Sequence, residues 1–217
     1  MSGLSRPVLV VAAAAGLAAC SGMYYSALEK VGIEKREILA DRVKAARDEQ
    51  AAAQEQFRDA LEQFMAVVGH RGGELERMYE RLRGEYEDAS SRAAAVRDRI
   101  GAVKDVAEAL FREWGTEISQ YSDPRLKQAS SRQLAETRRR YGQLVAAMER
   151  AAARMDPVLA VLKDQVLFLK HNLNAQALGS LTATSSALEA DVEQLIRDMQ
   201  AAIAEADSFL ATLGAGG

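Results

Sequence analysis

The chain has little of several residue types that mark common classes of protein. It holds one cysteine, three prolines and two histidines among 217 residues, and only 6% of its residues are aromatic. A single cysteine excludes an intramolecular disulfide framework, and the few prolines and glycines exclude a collagen-like repeat. The 28 Lys and Arg are balanced by 31 Asp and Glu. The chain therefore lacks the basic excess of nucleic-acid-binding proteins, and we expect no nucleic-acid partner.

The residues that abound are strong helix formers. Hydrophobic residues make up 48% of the chain, and its formal net charge is only −3. Disordered proteins combine low hydrophobicity with high net charge, so this composition indicates a folded protein. Ala, Leu, Glu, Arg and Gln dominate, and all favour helices. No useful stretch alternates apolar and polar residues with the period of a strand. The composition therefore predicts an all-α protein.

The first residues resemble an export signal. Arg6 precedes the apolar run VLVVAAAA, which is of signal-peptide length and too short for a comfortable membrane span. The run ends in Leu-Ala-Ala before Cys20, the pattern of the bacterial lipobox, whose cysteine thiol receives diacylglycerol. We predict a lipoprotein signal peptide over residues 1–19, a lipid anchor at Cys20 and one domain over residues 20–217. A plain signal peptide or an uncleaved anchor is the alternative. By analogy with Gram-negative lipoproteins, Ser21 favours the periplasmic face of the outer membrane over retention in the inner membrane.

The rest of the chain carries apolar residues at alternating spacings of three and four, the pattern of a coiled-coil seam. The seam of the first long stretch is Leu39, Val43, Ala46, Gln50, Ala53, Phe57, Ala60, Phe64 and Val67, with one polar member. The second seam runs Leu75, Tyr79, Leu82, Tyr86, Ala89, Ala93, Val96, Ile100, Val103, Ala107, Leu110 and Trp114. Similar seams run from Leu134 to Leu162 and from Leu188 to Leu213.

Turn residues separate these seams. Gly69, Gly72 and Gly73 predict a helix end with positive φ angles, and Asp123-Pro124 predicts a capped helix start. Gly179 and the Ser/Thr-rich residues after it predict a loop or frayed end, and Ser186 begins a capping-box pattern. We therefore predict four long helices, at about 25–68, 74–120, 124–178 (bent or broken near Pro157) and 186–213. Short connections make them an elongated antiparallel helical bundle or coiled coil.

The sequence offers no constellation for catalysis. Neither His70 nor His171 has zinc-ligand spacing to another His or acid, and no phosphate-binding loop or nucleophile elbow occurs. We interpret His70 as a solvated loop residue and His171 as a buried, hydrogen-bonded polar residue. The prediction is a protein that is not an enzyme, with no cofactor and no metal site.

Two features could contact a membrane or another anionic surface. Arg138, Arg139 and Arg140 form the one basic run, which we interpret as a solvated face or, alternatively, as a patch for phosphate-bearing lipid or envelope polymer. Tyr24 and Tyr25 follow the predicted anchor and fit either the membrane interface or the end of the bundle.

With these residues in view, the chain resembles a bacterial lipoprotein family known as domain of unknown function DUF2959. The similarity begins at Tyr24-Tyr25, continues through Glu29–Ile33 and Lys35–Leu39, and returns at Asp156-Pro157 and the string Leu-Lys-His-Asn-Leu-Asn. The resemblance implies a helical envelope protein and assigns no activity. Together with the lipobox it leads us to expect a non-enzymatic structural or adaptor module, facing the periplasm, with an envelope protein partner and room for homo-oligomerisation. The alternative function is lipid or envelope-polymer binding through Arg138–Arg140.

Overall fold

Four long helices form the protein. The structure is a computed structural model that describes residues 34–69, 75–172 and 175–214, with the side chains of 175–178 and 180 left out. No strand occurs within these ranges. The helices are α1 (Lys35–Val68), α2 (Leu75–Gln120), α3 (Pro124–His171) and α4 (Ala175–Gly214). The longest have 46 and 48 residues, and at 1.5 Å per residue each extends about 70 Å.

Each helix packs chiefly against its two neighbours, in the closed order α1–α2–α3–α4–α1. Cross-helix contacts show that neighbours are antiparallel. Glu49 and Gln56 of α1 meet Arg92 and Glu85 of α2, so residue numbers rise along one helix as they fall along the other. The same reversal relates α2 to α3, α3 to α4 and α4 to α1. The predicted all-α antiparallel bundle is confirmed.

The bundle therefore has two distinct ends. At the near end, α1 begins, α2 ends, α3 begins and α4 ends. At the far end, α1 and α3 end while α2 and α4 begin. This assignment follows from the helix bounds and the antiparallel packing, and it places Glu34 at the near end and Val68 at the far end.

The seams predicted from spacing form the core. All nine seam positions of α1 are fully buried, and so are seven of the eight in the last seam, from Leu188 to Phe209. In α2, eight of twelve seam residues are buried and the rest are half-buried. Because the four helices form a closed ring, each helix has its narrow apolar stripe covered by its neighbours. A stripe of this width is therefore enough to build a continuous core.

The turn between α2 and α3 also confirms its prediction. The Asp123 carboxylate accepts a hydrogen bond from the Arg125 backbone N–H at 2.8 Å, and Pro124 occupies the first position of α3. The first turn of a helix has backbone N–H groups without partners in the helix. The Asp123 carboxylate binds one of them, and Pro124 has no N–H to satisfy. At the end of α1 the expected positive φ is wrong for Gly69, whose φ is −78°. The turn residues that follow lie outside the described ranges.

Two predicted boundaries are wrong. The helix predicted over 25–68 does not continue through Glu34, whose backbone is extended, and α1 begins at Lys35. Residues 25–33 lie outside the described part of the chain. The boundary between α3 and α4 lies at Asn172, not in a loop at 179–185. The predicted ends at 178 and 186 are therefore wrong, and so is the capping box at Ser186.

The Ser/Thr-rich stretch is helical because it keeps an apolar face, and Ser185 satisfies its hydroxyl locally. The Ser185 hydroxyl donates to the Thr182 carbonyl oxygen at 2.9 Å. Because this bond satisfies the hydroxyl within the helix, the residue does not require a turn. Leu181 is fully buried and lies seven residues before Leu188, so the seam of α4 starts earlier than its polar surroundings suggest. The cap of α3 is Asn172, which donates a side-chain N–H to the Phe168 carbonyl oxygen at 2.9 Å.

Proline and glutamine mark two irregular positions inside the bundle. Helix α3 continues through Pro157, so this residue does not break it, although Pro157 has no N–H to donate. Gln50 of α1 is fully buried, and neither its amide nitrogen nor its amide oxygen has a protein hydrogen-bond partner. Thr137, the other buried polar residue among those described, donates to the Gln133 carbonyl oxygen at 2.9 Å.

Candidate functional site

A concavity of the described residues lies at the near end. A groove of about 570 Å³ opens between the start of α1, the end of α2, the start of α3 and the end of α4. Its apolar lining includes Leu110, Trp114 and Leu126, and its rim carries glutamates. The groove exists because the four helices do not end level with one another.

The side chain of Trp114 faces this groove because the buried face of α2 shifts. Spacing predicts Leu110 and Trp114 as the last core positions, but Phe111 and Ile118 are the buried residues there. A helix has 3.6 residues per turn, so a seam of period 3.5 drifts around its surface over many turns. Trp114 is therefore half-buried, and its indole N–H donates to Ser130 Oγ of α3 at 2.8 Å.

An aromatic cluster closes the core just inside the groove. The ring centroids of Phe111 and Tyr141 are 5.3 Å apart in an edge-to-face arrangement, and those of Tyr141 and Phe209 are 6.4 Å apart. The cluster joins α2, α3 and α4. Burial, with nearby carboxylates adding to it, raises the pKa of the Tyr141 hydroxyl to about 12. Spacing alone missed Phe111 as a core residue.

The predicted basic run lies beside this cluster, and each of its arginines has a partner in the chain. The Arg138 guanidinium lies 5.5 Å from the Phe111 ring centroid and donates to the Phe111 carbonyl oxygen at 3.1 Å. Arg139 and Arg140 both bind the Glu136 carboxylate, at 2.6 and 2.7 Å, and Arg140 also donates to Thr212 Oγ1 at 2.7 Å. Arg138 therefore connects α3 to α2 and Arg140 connects α3 to α4, whereas Arg139 pairs within α3.

Two of these arginines lower the pKa of the Glu136 carboxyl group. Hydrogen bonds from Arg139 and then Arg140 lower the pKa of Glu136 to about 2. The carboxylate stays ionised at any physiological pH and offsets part of the positive charge of the run. Contact of Arg138, Arg139 or Arg140 with an anionic surface stays a prediction.

The other residues singled out from the sequence fall into three groups. Cys20, Tyr24, Tyr25 and His70 lie outside the described residues. His171 is exposed as the last residue of α3, so its interpretation as a buried polar residue is wrong. Within the described ranges, no cluster of three His, Cys, Asp or Glu side chains could hold a metal ion. None of the described helices is long and apolar enough to span a membrane.

Comparison with known proteins gives a family without an assigned activity. The family described as protein of unknown function (DUF2959) matches residues 24–213. No curated protein and no solved structure matches the chain significantly. Because the match covers far more than half of the sequence, the chain belongs to this family.

Proposed function

We propose that the chain is a lipid-anchored helical spacer and adaptor of the bacterial envelope, facing the periplasm and without catalytic chemistry. The observation that carries the proposal is a rod about 70 Å long, which holds its two ends far apart. The near end is where the chain from Cys20 would join the bundle, and the far end bears the exposed apolar side chains of Leu167 and Phe168. A spacer needs an attachment at one end and a contact surface at the other.

The attachment rests on the position of Cys20. Fourteen residues separate Cys20 from Lys35, the first residue of α1 at the near end. Such a segment spans at most about 50 Å when fully extended. A lipid on Cys20 would therefore keep the near end of the bundle close to its membrane, and the outer membrane is the proposed one.

The rod itself is suited to a structural role. The seams of all four helices bury one another, and cross-helix ion pairs such as Lys104–Glu149 at 2.8 Å and Arg154–Asp198 at 2.6 Å lie along its surface. Each exposed pair adds little stability. Long antiparallel helices with a continuous core give a stiff element of defined length.

The contact surface is proposed at the far end. Leu167 and Phe168 are adjacent in the last turns of α3, and their exposed fractions are 51% and 39%. Met65 of α1, exposed by 37%, lies toward the same end. Adjacent exposed apolar side chains are a feature of protein-binding surfaces. The partner is proposed to be an envelope protein.

The alternative, binding of lipid or envelope polymer through Arg138–Arg140, has less support. The three arginines contact Glu136, Phe111 and Thr212, which occupy part of their hydrogen-bonding capacity. Salt-sensitive binding to anionic vesicles that is lost on neutralising the run would favour this alternative over the spacer.

Two experiments test the proposal. Mass spectrometry of the membrane fraction should show an acylated N-terminus at Cys20, and Cys20→Ser should release the protein from the membrane, because serine has no thiol to accept the lipid. An unmodified wild-type chain that begins elsewhere would overturn the anchor.

The adaptor role is tested with a photocrosslinking amino acid at position 168 in living cells, and at the exposed Lys163 as the matched control. A defined crosslinked protein from position 168 and not from position 163 is expected, and its loss in Leu167→Asp should follow. Equal crosslinking at both positions would contradict a specific far-end contact.

A further inference from the structure

The hairpin formed by α2 and α3 extends beyond the other two helices at the near end. Lys35 of α1 pairs with Glu113 of α2 at 3.1 Å, which places the start of α1 near the level of Glu113. Arg36 of α1 donates to the Leu213 carbonyl oxygen, which places the end of α4 at a similar level. Helix α2 continues seven residues beyond Glu113, and at 1.5 Å per residue this adds about 10 Å. Within the described ranges, residues 115–129 therefore form a tip that projects past α1 and α4.

Two large apolar side chains of this tip are exposed. Tyr121 and Leu126 are exposed by 43% and 56%, and both line the groove at the near end. The other exposed large apolar side chains among the described residues are Met65, Leu167 and Phe168, which lie toward the far end. Exposed apolar side chains that lie together indicate an interaction surface, and at the near end this surface is the tip.

Basic side chains surround this apolar surface. Arg125 and Lys127 stand directly before and after the exposed leucine, and the Arg125 side chain is 93% exposed. Lys127 and Arg132 are exposed as well, and neither has an ion-pair partner among the described residues. Asp123 is the one acid of residues 121–132, and its carboxylate accepts the hydrogen bond that caps α3. Three bases against one acid give this stretch a net charge of +2.

The positive charge continues along α3. Residues 124–140 carry six Arg and Lys side chains against one acid, Glu136. On the adjoining end of α2, Glu113 pairs with Lys35, and Glu117 is the remaining acid of residues 113–120. The tip is therefore positive on the side that α3 forms.

We propose that the tip binds the headgroup region of a membrane that contains anionic lipids. Leu126 and the Tyr121 ring enter the boundary between headgroups and acyl chains, where tyrosine is favoured. Arg125, Lys127 and Arg132 contact lipid phosphates, while the hydrocarbon part of each side chain lies against the apolar boundary. Interfacial binding combines burial of apolar side chains with attraction to anionic lipid, and the tip supplies both.

The size and the position of the tip favour a membrane over a protein partner. A stable protein interface takes about 20–30 residues on each side, whereas the tip comprises only residues 115–129. Entry of a few side chains into a lipid interface needs no surface of that size. The tip also projects from the end of the bundle at which α1 begins, the end that the chain from Cys20 would join.

Tip binding has a consequence for the orientation of the rod. With a lipid on Cys20, the near end has two attachments to one membrane, the lipid and the tip. Leu167 and Phe168 at the far end then point away from that membrane, at a distance of up to about 70 Å, the length of α3. This orientation rests on the lipid anchor of the proposed function. The tip binding does not, because it depends only on the described side chains.

The first experiment uses the chain from residue 20 to residue 217 with Cys20→Ser, which carries no lipid and no thiol of its own. An environment-sensitive fluorophore is attached at Ser122→Cys in the tip or, as the matched control, at Ala66→Cys at the far end, and both positions are exposed. The probes are vesicles of phosphatidylcholine with or without phosphatidylglycerol. Emission from position 122 should shift to shorter wavelength with the anionic vesicles, and emission from position 66 should stay unchanged. Equal shifts at both positions, or no shift at position 122, would overturn the proposal.

The second experiment measures the affinity of unlabelled variants of the same chain for these vesicles by flotation. Arg125→Gln combined with Lys127→Gln should weaken binding to the anionic vesicles about thirtyfold, and Leu126→Ser should weaken it about tenfold. Arg150→Gln combined with Lys163→Gln removes the same charge from exposed positions further along α3 and should change the affinity by about twofold at most. Helix content by circular dichroism should be the same in all variants, because the replaced side chains are exposed.

Other results of these measurements would assign the binding elsewhere and overturn the proposal. Equal weakening by the two double variants would show that binding depends on net charge and not on the tip. Loss only on neutralising Arg138–Arg140 would assign it to that run. A shift at position 122 that grows with protein concentration in the absence of vesicles would assign the tip to a second copy. An unacylated Cys20 in cells would overturn the anchor and leave all these readouts unchanged.

Discussion

The middle of the bundle and its near end follow the same heptad pattern but reach different degrees of burial. In the middle, residues such as Phe57 and Leu144 are enclosed by four helices and have no exposed surface. At the near end, Trp114 holds an equivalent seam position but is half-buried, because the buried face of α2 has shifted to Phe111 and Ile118. Burial therefore depends on the drift of the seam around a long helix as well as on the spacing of apolar residues.

Phe57→Ala tests the fully enclosed side of this comparison. Removing a buried aromatic ring leaves a cavity between helices that cannot close completely, so we expect the free energy of unfolding to fall by about 3–5 kcal/mol. Urea denaturation followed by circular dichroism measures the loss. A decrease below 1 kcal/mol would show that the middle of the bundle can collapse around a missing ring.

Trp114→Ala tests the partly enclosed side. The ring is half-buried and loses one hydrogen bond to Ser130, so we expect a smaller loss of about 2 kcal/mol. Trp114→Phe retains most of the apolar contact and should cost about 1 kcal/mol, the net contribution of one hydrogen bond. A loss from Trp114→Ala equal to that from Phe57→Ala would remove the distinction between the two regions.

Gln50→Leu is expected to stabilise the protein. A fully buried amide without a protein partner costs about 1–3 kcal/mol relative to a satisfied or apolar group, and leucine keeps a similar volume. We expect the free energy of unfolding to rise by about 1 kcal/mol.

Gln56→Leu is the matched control on the same helix. The Gln56 side-chain amide donates to Glu85 Oε2 at 2.6 Å, so its replacement should lower stability or leave it unchanged. Destabilisation by Gln50→Leu would mean that the amide has a function in fixing the pairing of helices, as polar residues in coiled-coil cores can.

Acidification should weaken the near end through Glu136, with the smallest effect of the four. The pKa of Glu136 is lowered from 4.5 to about 2 in the folded protein, so its stabilising contribution is present above pH 4.5 and is lost as the pH falls toward 2. The difference in melting temperature between wild type and Glu136→Gln should therefore shrink over that range. Glu62→Gln, at an exposed position of α1, controls for general charge effects. A difference that stays constant from pH 5 to pH 2 would contradict the prediction.

Most of the fold could be predicted because it depends on one pattern in the sequence, the spacing of apolar residues along each helix. Apolar spacing located all four seams, and Asp123 and Pro124 located the turn between α2 and α3. The start of α4 was missed because Ser and Thr favour turns in isolation, while Leu181 and the local hydroxyl bonds keep this stretch helical. Tertiary packing outweighs a weak local preference here.

The groove could not be predicted because it depends on where helices end relative to one another. Side-chain spacing gives the face of each helix, but the shift of burial from Trp114 to Phe111 and Ile118 arises from drift that accumulates over many turns.

The antiparallel ring has a mechanical consequence. A pulling force applied between the N-terminal side of Lys35 and the far end acts along the axis of α1, so α1 would have to slide lengthwise past α2 and α4. All nine enclosed side chains of its seam would resist that displacement together, instead of separating one after another. In this shear geometry the rod should withstand tension along its length far better than a force that peels one helix sideways.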